Sequence, residues 1–150
     1  MITERKLIEE LININNIEII KQKLEEVLKQ FPADDEFITL KTWGYSANYM
    51  YTKEYKKQQG YINWCKIFHN LFNDIKHRIP EIDETKQIGL WLYFDHMTRF
   101  DVSNFQKAVQ DAICNELGID DKLVNVMACR TNKYITDVKD SRIYFVIKNI

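Results

Sequence analysis

The stretch "QIGLWLYFDHMTRFDVSNFQKAVQDAICNELGIDDKLVNVMAC", residues 87–129, decides how the chain folds. Its opening, residues 87–96, is too short and too aromatic for a helix and reads as a buried strand. The period then changes. Phe105, Ala108, Val109, Ala112, Ile113 and Leu117 recur at helical spacing, and Gly118 stands where a helix ends in a left-handed cap. Residues 122–129 return to a strand pattern.

Working outward, "RTNKYITDVK" reads as a polar loop, and residues 140–149 read as a last strand. We expect that strand to form an antiparallel hairpin with residues 122–129. On the other side, "EFITLKTW" (residues 36–43) alternates and is rich in β-formers, so it predicts a strand. A long loop with room for a short hairpin runs between Gly44 and Gly60. Residues 61–78 predict an amphipathic helix with Ile62, Cys65, Phe68, Leu71, Phe72 and Ile75 on its apolar face, Ile67 fitting least, and Pro80 ends it.

Residues 3–30 predict a helix interrupted at "NINN", Asn13 to Asn16, which is poor helix material. One apolar stripe holds Leu7, Ile8, Leu11 and Ile12; a second holds Ile17, Ile20, Leu24, Val27, Leu28 and Phe31. Pro32 closes it by restricting Phe31 and offering no amide. The expected organisation is an N-terminal helical extension over residues 1–35 and a domain over residues 36–150. The fold class is α+β, a small mixed β-sheet with two packed helices.

At 150 residues and 45% hydrophobic content the chain suits one globular domain with a real core. Its net charge of −1 gives no global basic field. Charge is uneven, however: residues 1–35 hold five Lys/Arg against eight Asp/Glu, whereas residues 53–79 hold six against two. Cys65, Cys114 and Cys129 are far apart among apolar neighbours and read as reduced thiols. No signal-peptide pattern and no apolar run of the ~18 residues needed for a bilayer is present, so a soluble cytoplasmic protein without membrane contact is expected.

The polar face of the helix after Ser103 carries Asn104, Lys107 and Asp111 at steps of three and four. Asp101 precedes the helix; Asp120 and Asp121 follow it. Ser103-Asn104-Phe105-Gln106 matches a capping box. A helix of ~15 residues spans about 22 Å, so the acidic ends meet only if the chain folds back after Gly118 or a second subunit supplies one of them. Taken alone, Asp120-Asp121 reads as a turn and Lys107–Asp111 as an exposed pair.

Asp101, Asn104, Lys107, the Asp111-Ala112-Ile113 run and the pair Asp120-Asp121 together resemble the RusA-type Holliday junction resolvases. That family shows Asp-x-Asp-Asn-x-x-Lys, then Asp-Ala-Leu, then Asp-Asp. Its opening strand and Ser-x-Asn loop are similar to "LKTWGYSAN", with Ser46 and Asn48 in the matching places. The resemblance spans residues 37–147. It implies a small mixed α/β domain that pairs as a homodimer and cuts four-way junctions or branched DNA in recombination and repair, using Mg²⁺.

Carried over, Asp101 and Asp121 are Mg²⁺ ligands and catalytic, Lys107 is the cation at the scissile phosphate, and Asp120 is the less directly implicated acid. The departure is Ser103, which stands where the family has its second aspartate. A hydroxyl there holds a metal-bound water or ligates weakly, and both charge and metal affinity fall. Asp95, on the preceding strand, replaces that carboxylate if "HMTRF" bends to bring it beside Asp101.

For DNA, Lys53, Lys56 and Lys57 interleave with Trp43, Tyr45, Tyr49, Tyr51 and Tyr55, a pattern that neutralises phosphates and stacks on unpaired bases. Asn104, Arg99, Arg130 and Lys133 are further candidate contacts. His69, His77 and His96 show no ligand spacing. Two other readings accompany the nuclease: a branched-DNA binder that has lost cleavage at Ser103, and an interaction protein using its helical arm without nucleic acid.

Overall fold

A computed structural model describes residues 9–10, 13, 17–28 and 31–150. Two compact units divide the chain, Met1–Glu36 and Phe37–Ile150. In the first, helix α1 covers Ile17–Leu28, and Ile17, Leu24 and Leu28 on its apolar stripe are exposed. Asn13 lies in a turn; the expected first stripe and the rest of the expected break fall outside the described residues.

The second unit is α+β. Its strands are β1 (Ile38–Leu40), β2 (Ile88–Met97), β3 (Val124–Ile135) and β4 (Arg142–Asn149), in the sheet order β1-β4-β2-β3. β4 runs antiparallel to both β1 and β2, and β2 runs parallel to β3. Helix α2 covers Gln59–Ile75 and α3 covers Gln106–Leu117. The stretch quoted first is thus a strand–helix–strand crossover, as a parallel pair requires.

The expected hairpin of the last two strands does not form, because β2 lies between them. β2 is buried along nearly its whole length and takes the centre, where strands bury both faces. β3 takes the edge. It also continues to Ile135 through most of the expected polar loop, with Arg130, Asn132 and Lys133 exposed. Polar and basic side chains protect an edge strand, so the composition that suggested a loop belongs to an edge. β1 is shorter than expected, since the Thr42 amide donates back to Leu40 O at 3.0 Å and turns the chain.

The core lies between the sheet and the two helices. Ile88, Leu90, Leu92 and Phe94 of β2 meet Phe68 and Phe72 of α2, Val109 and Ile113 of α3, and Phe145 of β4. Phe72 stacks on Phe68 at 5.7 Å and on Phe145 at 5.9 Å between centroids, tying helix to sheet. The buried face of α2 is Tyr61, Trp64, Phe68 and Phe72, one residue round from the expected Ile62 and Cys65, and Ile67 is exposed. Among the described residues no helix is long and apolar enough to cross a membrane. All three cysteines are free; burial pushes the Cys114 thiol up to about 12 and Cys129 up to about 11.

Candidate active site

Three local structures build the site, and each follows from its sequence. The first is the turn that enters α3. Asp101 caps a 3₁₀ turn over Val102–Phe105, its Oδ1 accepting from the Ser103 amide at 3.1 Å and the Ser103 hydroxyl at 2.9 Å. The expected capping box at Ser103 is therefore displaced: Asp101 is the cap, and the Ser103 amide that Gln106 would have satisfied is already taken. These two bonds, amide first, hold the Asp101 carboxyl below the usual carboxylate range.

The second is the loop before α2. Ser46 caps a turn over Ala47–Tyr49 by accepting from the Asn48 amide at 3.3 Å. Gly44 lies flat against the turn into α3: a Cβ there would stand 2.6 Å from Phe105 Cγ. The absence of a side chain thus locks the Ser-x-Asn loop onto the turn that carries Asp101.

The third is the chain reversal after α3. Gly118 takes φ 67°, and the Ile119 amide donates to Cys114 O at 3.0 Å, ending the helix in a left-handed cap. The chain then runs back along the helix. Gln110 Nε2 donates to Asp121 O at 3.4 Å, and Lys107 Nζ reaches Asp121 Oδ2 at 3.4 Å as well as Asp111 Oδ1 at 2.8 Å. The ~22 Å separation that a straight continuation implies is cancelled by this reversal. Asp111 and Asp121, in that order, raise the Lys107 pKa, and Lys107 in turn holds the Asp121 carboxyl low. Asp120 caps its own turn, accepting from the Lys122 amide at 3.0 Å, so the turn reading of Asp120 and its place beside the cluster are both true.

Asp111, Asp120 and Asp121 line a polar cavity of about 380 Å³ with Lys57, Tyr61 and Asn115. Asp101 and Ser103 are not among its lining residues. Among the described residues no three His, Cys, Asp or Glu side chains are arranged to hold one metal ion. Asp95 does not join Asp101: it is buried, accepting from Asn132 Nδ2 at 2.7 Å and from the Tyr144 hydroxyl at 2.6 Å. Burial, then that bond, pushes the Tyr144 phenol up to about 12.

The other expected contacts are dispersed. Lys53 and Lys56 are exposed in the loop before α2, and Lys57 reaches the cavity. Arg99 rests its guanidinium 4.9 Å from the Phe100 ring in the turn after β2. Arg130 and Lys133 lie exposed on β3, and Asn104 is half-buried in the turn below Asp101. Sequence reading passed over Tyr61 and over His96. His96 is buried, its ring nitrogens 2.9 Å from Met97 O and 2.7 Å from Thr131 Oγ1, and its ring meets Phe105 edge-on at 5.4 Å. It braces the Asp101 turn from below. A lone histidine at the end of an apolar strand gave no signal of that.

No family model and no curated protein sequence matches the chain. Among solved structures it is similar to a 2C-methyl-D-erythritol 2,4-cyclodiphosphate synthase from Plasmodium vivax at 11% identity, over 57% of this chain and 55% of that one, with a TM-score of 0.29. The chain thus spans about half the length of that synthase, and a likeness at this score carries no argument about fold or chemistry.

Proposed function

We propose that the chain is a Mg²⁺-dependent, structure-selective endonuclease of the RusA type, acting as a homodimer on four-way or otherwise branched DNA. One observation carries this reading. The chain reversal at Gly118 sets Asp121 against Lys107, residues fourteen apart in sequence that the resemblance pairs in one active site. The polar cavity beside them adds Asp111 and Asp120.

Magnesium is held by one or two carboxylates and keeps several waters, so it needs no cage of three protein ligands. The acidic cavity fits that demand. Asp121 would hold the ion with Asp120 beside it; Asp101, the other ligand that the resemblance implies, does not line this cavity. When bound, the ion stabilises charge developing on the phosphate and lowers the pKa of a coordinated water.

The remaining work belongs to the chain. Lys107 stays protonated because two carboxylates face it, and its ammonium is a fixed positive charge for the phosphate oxygens. Asp111, the nearer partner, orients it. Lys57 adds positive charge on the cavity wall. A two-fold dimer presents two such sites, matching the paired strands of a junction.

A specific observation supports a second reading, a binder of branched DNA that does not cut. The Ser103 hydroxyl donates to Asp101, so the position that resembles a ligand occupies an acceptor site on its neighbour's Oδ1 instead of adding a carboxylate. Both readings are tested together by titrating the protein into labelled four-way junction and linear duplex over a range of salt, then adding Mg²⁺. Junction-selective, salt-sensitive binding followed by paired incision supports the nuclease. Binding without incision selects the second reading, and no preference for the junction removes both.

A further inference from the structure

The loop between Trp43 and Gly60 carries a feature that the acidic cavity does not use. Tyr51 and Lys57 form an antiparallel bridge. Within it, the Thr52 amide donates to Lys56 O at 2.7 Å, the Tyr55 amide donates to Thr52 O at 3.0 Å, and the Lys56 amide donates to Thr52 Oγ1 at 3.2 Å. These bonds close a small hairpin whose tip is Lys53-Glu54-Tyr55-Lys56.

Tyr55 breaks two local rules at once. Its φ is 60°, the one positive φ at a non-glycine residue among those described, and it is 88% exposed. Left-handed backbone favours glycine or asparagine, and a bulky side chain there is strained. A large ring held in water loses the burial that normally rewards it. Conflicts of this kind collect where a surface works on something else.

The hairpin is also anchored. The Gln58 amide donates to the carbonyl of buried Met50 at 3.0 Å, and Gln58 Nε2 donates to Tyr51 O at 3.1 Å. The Tyr51 ring meets buried Tyr61 at 6.1 Å. Its last residue, Lys57, lines the acidic cavity. The tip therefore projects from the wall of the candidate site on a fixed base, with one acid and two lysines around an exposed ring.

We propose that Tyr55 stacks on a nucleobase face exposed where stacking is interrupted at a DNA branch point, with Lys53 and Lys56 on the flanking phosphates. A base offers a π-face to any aromatic ring, and the two cations suit the backbone on either side of it. The inference rests on the DNA-binding reading above, and it names the part of the branched substrate that this loop takes.

The test uses the full chain with fluorescently labelled four-way junction and linear duplex, comparing Tyr55→Phe and Tyr55→Gly with the unaltered protein. Glycine relieves the backbone and removes only the ring, so its melting temperature should match or exceed that of the unaltered chain. The expected result is a loss of about tenfold in junction affinity for Tyr55→Gly, no change on duplex, and retention by Tyr55→Phe. Tyr55→Gly binding the junction as tightly as the unaltered chain overturns the inference alone, as does an equal loss on both DNAs or a loss in Tyr55→Phe as large as in Tyr55→Gly. Failure of the unaltered chain to bind either DNA overturns the DNA reading with it.

Discussion

Lys107 is the residue on which the candidate site turns, because it joins an acid on its own helix to an acid that arrives by chain reversal. Its contacts set a pH window. The Asp121 carboxyl is lowered by Lys107, so the stabilisation from their contact is complete above the usual carboxylate value of about 3.9 and is lost as pH falls through the lower folded value. Lys107 is raised, so its share is complete below about 10.4 and is lost as pH rises through the higher folded value. A carboxyl-detected NMR titration should give Asp121 a midpoint below that of a free aspartate, and Lys107→Met should move it back up. A midpoint unmoved by that substitution would show that the pair does not form in solution. The resemblance nominated Asp101, Lys107 and Asp121, and the length of the helix posed the condition of a reversal after Gly118. Neither disclosed that Ser103 ties up Asp101, because an Asx-turn bond depends on two side-chain rotamers that residue types alone do not fix. Gly44 makes a second prediction at this scale. Since a Cβ would enter the Phe105 ring at 2.6 Å, Gly44→Ala should cost about 1–3 kcal/mol in urea unfolding; an unchanged midpoint would mean that the loop and the turn are not packed as described.

Among the elements, helices were the more legible. Both α2 and α3 were readable from their period and their stops, Gly118 above all. The strand pairing was not, because a hairpin and a crossover place the same alternating residues next in sequence. What separates them is which strands are apolar enough for the interior: β2 and β4 are, and β3, with its exposed polar residues, takes the edge. The extension of β3 to Ile135 escaped for a related reason: Arg130, Asn132 and Lys133 look like a loop until the neighbouring strand is known. The face of α2 was misjudged by about one residue because aromatic and aliphatic residues interleave along it. The aromatic set is the buried one, and it predicts an unequal response to truncation. Phe72→Ala, at a side chain with no exposure and two stacked partners, should cost about 3–5 kcal/mol. Ile67→Ala, at an exposed position on the same helix, should change stability by less than about 0.5 kcal/mol. Equal effects in chemical denaturation would mean that the helix presents a different face to the sheet.

For the whole molecule, the division at Glu36 makes a direct claim. Among the described residues, every member of the hydrophobic core lies in Phe37–Ile150, so the sheet, α2, α3 and the acidic cavity belong to one unit. A fragment of residues 37–150 should unfold in a single cooperative transition when heated. A gradual, non-cooperative melt would contradict that division. A net charge of −1 gave no hint of a nucleic-acid partner; under the proposed function the local arrangement is what counts, with acids in the cavity and lysines at the hairpin beside it. Local separation of charge, not its total, is what a metal-dependent nuclease requires. The most direct test of that account is incubation of the purified chain with a synthetic four-way junction and Mg²⁺, beside linear duplex and an Asp121→Asn variant. The account predicts paired, junction-selective incision that falls by at least about a hundredfold in the variant. Incision undiminished by Asp121→Asn, or none by either protein across a range of pH and Mg²⁺, would contradict it.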